Sequence, residues 1–267
     1  LLLSAIGLMV LGVALPGFLL TMFFDSLLPG GLSYTSHVAV ISPGYAYRAV
    51  DPEVVAEIRA YPAVADVIPA KALSMIANAP IVGEWPISIY AVREQDLPIL
   101  LDVYGLRLSA GELVQPRRDH IILSSALAQN RGLGLGDTIG RPVHERDGVP
   151  TTLTVVGLLE STSPTLVERD GYSVPPMPRW MGFASYEYID SHERYENTPT
   201  HMLVVPIKGR ESEMEAWLEE SIASPCVTVV TLGSSYGVWQ VRNSGVPHTY
   251  TPVYHPLPRR PLAHISY

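Results

Sequence analysis

Residues 1–24, LLLSAIGLMVLGVALPGFLLTMFF, contain no charged side chain, and no other stretch limits so sharply what the chain can become. At ~1.5 Å per residue a helix of that length rises about 36 Å, more than the ~30 Å of a hydrocarbon core. It can satisfy its own backbone hydrogen bonds in lipid. Ser4 and Thr21 can bond back to carbonyls, and Gly7, Gly12 and Pro16 are tolerated there better than in soluble helices. A secretory signal has an apolar core of ~7–15 residues and then a small-x-small cleavage site. The run here is longer, and no A-x-A follows it. A buried core helix seldom lacks every charge over so many turns. The expectation is therefore a transmembrane helix over residues 1–25. Beyond it stands Asp25, with no Lys or Arg before Arg48. Under the positive-inside rule that flank belongs outside the cell.

The remaining ~240 residues suffice for one large domain or two small ones. The net charge is −8 and 16% of residues are charged, all of them after the apolar stretch. An acidic extracytoplasmic part disfavours nucleic acid and tight docking on anionic lipid. Cys226 is the only cysteine, so an intramolecular disulfide and a cysteine metal site are both excluded. A domain outside the cell that relies on its core alone suits a bacterial envelope.

Residues 26–35 read as a short connector around Pro29, Gly30 and Gly31. A strand is expected at 37–42, then a helix capped by Asp51 with Pro52 at its first position and running to about Tyr61. Strands follow at 64–69, 73–78 and 86–92. Late in the chain the logic recurs: a strand at 201–207, a helix at 209–223 and a strand at 227–232. Met214, Trp217, Leu218 and Ile222 form that helix's apolar face. Glu211, Glu213, Glu215, Glu219 and Glu220 read as its solvated face. Two such units, far apart in sequence, predict one α/β subdomain (36–93 plus 200–232) split by a β-rich insertion (96–190).

The insertion contains RRDHIILSSALAQNRGLGLGDTIG, residues 117–140. The expected order is a strand at 120–123, a helix at 124–130 capped by Ser124 or Ser125, and Gly132 as a left-handed C-terminal glycine. Gly136-Asp137 then turns into a strand at 138–140, with its match at 151–159. Residues 164–178, with four prolines, read as an exposed loop. A brief strand at 181–185 and a Tyr-rich helix or turn at 186–191 follow. Gly132, Gly134 and Gly136 do not make a phosphate loop: the spacing is G-x-G-x-G and a strand, not a helix, follows.

Leu127, Leu133, Leu135, Gly136, Asp137, Ile139, Val155, Val156 and Gly157 occur as a small helix, a Gly-Asp turn and a "VVG" strand. This pattern resembles the extracytoplasmic core domain of FtsX-like ABC-transporter permeases, the MacB-type periplasmic domain. AYPAVADVIP (60–69) and HMLVVPIKG (201–209) sit where that family carries similar segments. The resemblance covers about residues 1–240. It implies an α+β fold: a transmembrane helix, then a core domain over 33–240 with an α/β part and an inserted β-rich part. It implies four membrane spans with the domain between the first two, a cytoplasmic ABC ATPase subunit as partner, a second permease copy, and residence in a bacterial inner or plasma membrane. The chain itself is then not an enzyme. The ATPase subunit hydrolyses ATP, and the motion is relayed outward to export or release a substrate or to act on a partner.

The tail 241–267 departs from that pattern, with five prolines in the stretch after Gln240, no apolar run, and His248, His255 and His264 at no metal-site spacing. It reads as disordered or as the mark of a fragment. Ser124-Ser125 lacks a G-x-S-x-G context. The aromatic set Tyr172, Trp180, Phe183, Tyr186, Tyr188 and Tyr195 reads as core, with a contact surface as the alternative. No catalytic, cofactor or metal residue is assigned. The competing reading of the whole is a single-span, membrane-anchored binding or hydrolase ectodomain.

Overall fold

The computed structural model describes residues 37–44, 47–79, 83–161, 167–169, 172–174, 180–224 and 226–231. The expected membrane helix at 1–25 and the tail at 241–267 lie outside the described residues. Among the described residues no helix is long and apolar enough to cross a membrane.

The fold is mixed α+β, with one large sheet and few helices. In chain order the elements are β1 (Ala39–Pro43), α1 (Pro52–Ala60), β2 (Val64–Ala79), β3 (Gly83–Val92), α2 (Leu97–Val103), β4 (Leu106–Gly111), β5 (His120–Ser124) and α3 (Ser125–Arg131). Then come β6 (Thr138–Ile139), β7 (Leu153–Ser161), β8 (Val167–Arg169), β9 (Tyr172–Val174), β10 (Gly182–Ser185), α4 (Tyr186–Ser191), β11 (Thr200–Pro206), α5 (Glu211–Trp217) and β12 (Val227–Val230).

Ten strands share one sheet in the order β12-β1-β11-β2-β3-β10-β5-β7-β4, with β6 on β7. The strands from 36–93 and 200–232 are contiguous, and so are those from 96–190. The two sets meet where β3 and β10 run parallel, Tyr90 beside Phe183 and Val92 beside Ser185. No gap divides the sheet at that seam.

The period of two along β2 decides which helix covers which face. Ile68 and Ala70 point with Val38, Val40, Tyr90 and Val92 toward α2, whose Leu97, Leu100, Leu101 and Tyr104 complete that core. Val67 points the other way, with Ala39, Ile41 and Val204, toward Val55 and Ile58 of α1 and Met214 of α5. Farther along the same face, Leu73, Met75 and Ala77 meet Leu127 of α3 and Ile189 of α4.

Local signals act as expected at several ends. Asp51 Oδ1 accepts from the Glu53 N–H at 2.8 Å, and Pro52 opens α1. Ser124 Oγ accepts from the Leu127 N–H at 3.3 Å, and Gly132 ends α3 in the left-handed region at φ 65°. The strands expected at 64–69 and 73–78 are one strand of 16 residues, because Ala70 to Ala72 continue the ladder to both neighbours. The loop expected over 164–178 contains the hairpin β8–β9, Val167 pairing with Val174. Helix α2 and strand β4 went unassigned in the sequence reading.

Candidate functional site

Three constellations of polar side chains stand out, at the stem of the domain, in the insertion, and at the seam.

The stem follows from strand polarity. β1 and β12 are antiparallel, with Val40 opposite Val230 and Ser42 opposite Thr228. The incoming chain at His37 and the outgoing chain at Thr231 therefore lie at the same end of the sheet. Both are held by one helical segment, α5 and the π-turn Leu218–Ile222 that continues it. His37 Nδ1 lies 2.8 Å from Glu215 Oε1, with side-chain exposures of 16% and 2%. Thr231 Oγ1 donates to Glu219 Oε1. Residues four apart on a helical segment project to one side, so consecutive turns carry the two carboxylates. A carboxylate facing Nδ1 selects the tautomer with its proton there. Glu215 corrects the sequence reading, which placed it on a solvated face. It flanks Met214 and Leu218 in the buried stripe and is itself buried.

In the insertion, Asp147 is fully buried and Arg131 nearly so. Asp147 Oδ1 accepts from Arg131 Nη1 at 3.0 Å and from the Ile76 N–H at 3.0 Å. Its Oδ2 accepts from Arg131 Nη2 at 3.4 Å and the Gly140 N–H at 3.3 Å. Arg131 Nη1 also donates to the Ile76 carbonyl. Nearby, the Asn78 N–H donates to Asn130 Oδ1 at 2.8 Å, and Asn130 Nδ2 donates to the Asn78 carbonyl at 2.8 Å. These bonds strap α3 and the loop after β6 onto β2. The buried charges answer one another, so the role is architectural.

At the seam, an open cleft of about 460 Å³ is lined by Arg93, Arg117, Tyr186, Glu187, Asp190 and Ser191. Arg93 follows the carboxyl end of β3, and Tyr186 follows that of β10. Lys71 on β2 is buried and pairs with Asp190 at 2.9 Å. Lys71 Nζ lies 5.9 Å and Arg93 Cζ 5.5 Å from the centre of the Tyr186 ring. Buried Ser185 Oγ accepts from the Arg117 N–H at 3.1 Å and the Tyr188 N–H at 3.2 Å, and donates to Glu187 Oε2 at 3.3 Å. Burial raises the Asp96 carboxyl above its ordinary pKa, against the pull of Arg93.

The residues weighed from sequence fall mostly into packing. Trp180, Phe183 and Tyr195 are buried core, Tyr188 packs against it, and Tyr186 faces a cleft. Ser125 Oγ donates to the Leu159 carbonyl at 3.1 Å. Cys226 is exposed, its Sγ 3.9 Å from the Tyr47 hydroxyl. Among the described residues no group of three His, Cys, Asp or Glu could hold a metal. His248, His255 and His264 lie outside the described residues.

The residues of the Gly-Asp pattern form one unit. The Gly136 N–H donates to the Val155 carbonyl at 2.8 Å, and the Val155 N–H donates to the Asp137 carbonyl at 2.8 Å. Asp137 Oδ2 accepts from the Gly134 N–H at 2.7 Å, reaching back along the chain instead of forward as an Asx turn would. Leu127, Ile139 and Val155 are fully buried beneath the unit.

No protein-family profile matches the chain, and no curated protein matches it in sequence. Among solved structures the chain is similar to the periplasmic region of MacB from Actinobacillus actinomycetemcomitans, at 14% identity and TM-score 0.41, over 78% of this chain and 94% of that one. It is also similar to the extracellular domain of the ABC-type transporter YknZ from Gram-positive bacteria, at 12% identity and TM-score 0.38, over 73% and 99%. A third similar structure is a domain of a permease protein from Porphyromonas gingivalis, at 12% identity and TM-score 0.35, over 73% and 89%.

Proposed function

We propose that this chain is the extracytoplasmic domain, with its leading membrane span, of a permease subunit of an ABC transport or mechanotransmission system. ATP hydrolysis belongs to a separate cytoplasmic subunit, and this domain relays the resulting motion to a substrate or partner. The observation that carries the reading is the stem. A domain placed between two membrane segments needs its chain to arrive and leave at one end, and His37 and Thr231 do so on adjacent strands. Residues 1–24 precede that end through a connector of about a dozen residues, and they are apolar enough to span. Glu215 and Glu219 tie both strands to a single helical segment, so a shift of either stem reaches α5 and the core behind it. The linked Gly-Asp and "VVG" residues support the family resemblance from a second direction.

The test uses the chain in a bacterial membrane. A phosphatase active only outside the cytoplasm, fused after Thr231, is expected to be active, and the chain is expected to resist extraction by alkaline carbonate. Purified in mild detergent after expression with its genomic neighbours, it is expected to retain an ATP-hydrolysing subunit in fixed ratio. An inactive phosphatase or carbonate release would refute the membrane-anchored reading. Anchoring without any ATPase would instead favour a single-span binding ectodomain.

A further inference from the structure

We propose that the seam cleft is a binding site for a carboxylate-bearing ligand, gripped by Arg93 and Arg117 beside the Tyr186 ring. The first reason is that neither guanidinium is tied down by a hydrogen bond, although Asp96 lies near enough to Arg93 to feel its charge. Among the described residues neither makes a hydrogen bond or salt bridge through its side chain. The other arginines at comparable clusters do: Arg131 with Asp147, Arg146 with Glu84, and Arg210 with Glu213.

The second reason is that the site is held in place. Arg117 is the one described residue other than glycine with positive φ, at 59°. Its backbone N–H is fixed there by Ser185, the residue that also caps α4. Arg93 is steered by the Tyr186 ring, which buried Lys71 approaches as well. A guanidinium already held over a ring by cation–π attraction loses less freedom when it binds, and its fork matches a carboxylate. The cleft also opens outside the carboxyl ends of β3 and β10, the parallel pair that joins the two halves of the sheet.

Charge selects the ligand class. Lys71 and Asp190 cancel as a pair, and Glu187 together with Asp96, close to Arg93, offsets the two arginines. A cleft with no surplus of positive charge, in a chain whose net charge is −8, tolerates a monoanion better than a phosphate dianion. A volume of about 460 Å³ admits an acid of side-chain to amino-acid size. The carboxylate can come from a free organic acid or from an acidic side chain of a peptide.

The experiment titrates the full chain in detergent micelles, with arginine Nε–H resonances as the readout. The probes are sodium acetate, a glutamate residue capped at both ends, inorganic phosphate and sodium chloride, at matched ionic strength. Both carboxylates are expected to shift Arg93 and Arg117 saturably, with chloride inert and phosphate weaker. Tighter binding of the capped glutamate assigns a peptide source, and equal binding a free acid. Arg93→Gln and Arg117→Gln should each weaken binding tenfold or more, whereas Arg118→Gln, at the exposed neighbour, should leave it unchanged. Both cleft arginines are exposed, so melting temperatures should stay at the wild-type value. The proposal is overturned by a linear, chloride-like response, by tighter binding of phosphate, by unchanged binding in the Arg93→Gln/Arg117→Gln double variant, or by equal loss in Arg118→Gln.

Discussion

Gly136 and Gly140 sit four residues apart, both at positive φ, and alanine at the two positions should act very differently. At Gly136, φ is 87° and no atom lies within 4 Å of an added Cβ. Only the conformational cost remains, ~1–2 kcal/mol, offset by the ~0.4–1 kcal/mol gained from restricting the unfolded chain. The net loss is about 0–1.6 kcal/mol, or at most roughly 6 °C in a domain of this size. At Gly140, φ is 109° and the Cβ would lie 1.9 Å from the Thr151 carbonyl oxygen and 3.3 Å from Val149 Cγ1. Backbone must move to relieve that contact, and the backbone there is committed. The Gly140 N–H donates to buried Asp147, and the Arg141 N–H donates to the Val149 carbonyl at 2.7 Å. Overpacking at ~1–3 kcal/mol adds to ~1–3 kcal/mol for each buried polar group left unpaired. Gly140→Ala should therefore cost at least about 3 kcal/mol, or a fall of roughly 6–12 °C. The assay is thermal unfolding of the full chain in detergent, followed by tryptophan fluorescence. Asp137→Asn, which keeps an acceptor for the Gly134 N–H, serves as a control and should melt near the wild type. Equal losses at the two glycines, or a larger one at Gly136, would refute the steric argument.

Removing the buried carboxylate by Asp147→Ala strands the Arg131 charge and should cost ~3–5 kcal/mol in denaturant unfolding. Adding Arg131→Met should make the pair's loss smaller than the sum of the singles by at least about 0.5 kcal/mol, and strict additivity would show that the groups do not depend on each other. Burial lowers the His201 pKa, and its Nδ1 lies 2.9 Å from Ser42 Oγ. The folded state thus holds this ring neutral where the unfolded chain protonates it, so its contribution is complete above ~6.5 and is lost as pH falls through the folded value. His201→Asn, which retains a polar partner for Ser42, should reduce the drop in melting temperature between pH 7.5 and 5. An unchanged drop would place that pH dependence elsewhere.

What could be read from sequence was whatever depends on near neighbours. Asp51-Pro52 and Ser124 announce helix starts because a cap bonds within three residues, and Gly132 announces an end because a left-handed position suits it. Alternation along 86–92 marked a strand because each face of β3 meets a different core. Helix α2 went unassigned although Leu97, Leu100, Leu101 and Tyr104 keep helical spacing, and all are buried. Glu215 was not legible. Its neighbours in sequence are other glutamates, and the group that sets it apart, His37, comes from the far end of the domain. The seam cleft was equally hidden, since Lys71, Arg93, Arg117 and Tyr186 come from four separate segments with no common spacing. Tyr186 could be flagged only as one member of an aromatic set.

The placement of β1 has a consequence for how the protein is made. Its hydrogen-bonding partners are β11 on one edge and β12 on the other, both from the last part of the domain. The β2–β3 hairpin can close as soon as its residues have been made, but Ala39 must wait for Val204. At ~5–20 residues per second that wait is roughly 10–30 s. Through it, a strand containing Ala39, Val40 and Ile41 has both edges open. A chaperone has its clearest target there, and a stalled or shortened chain that never supplies β11 leaves that strand exposed for pairing with other chains.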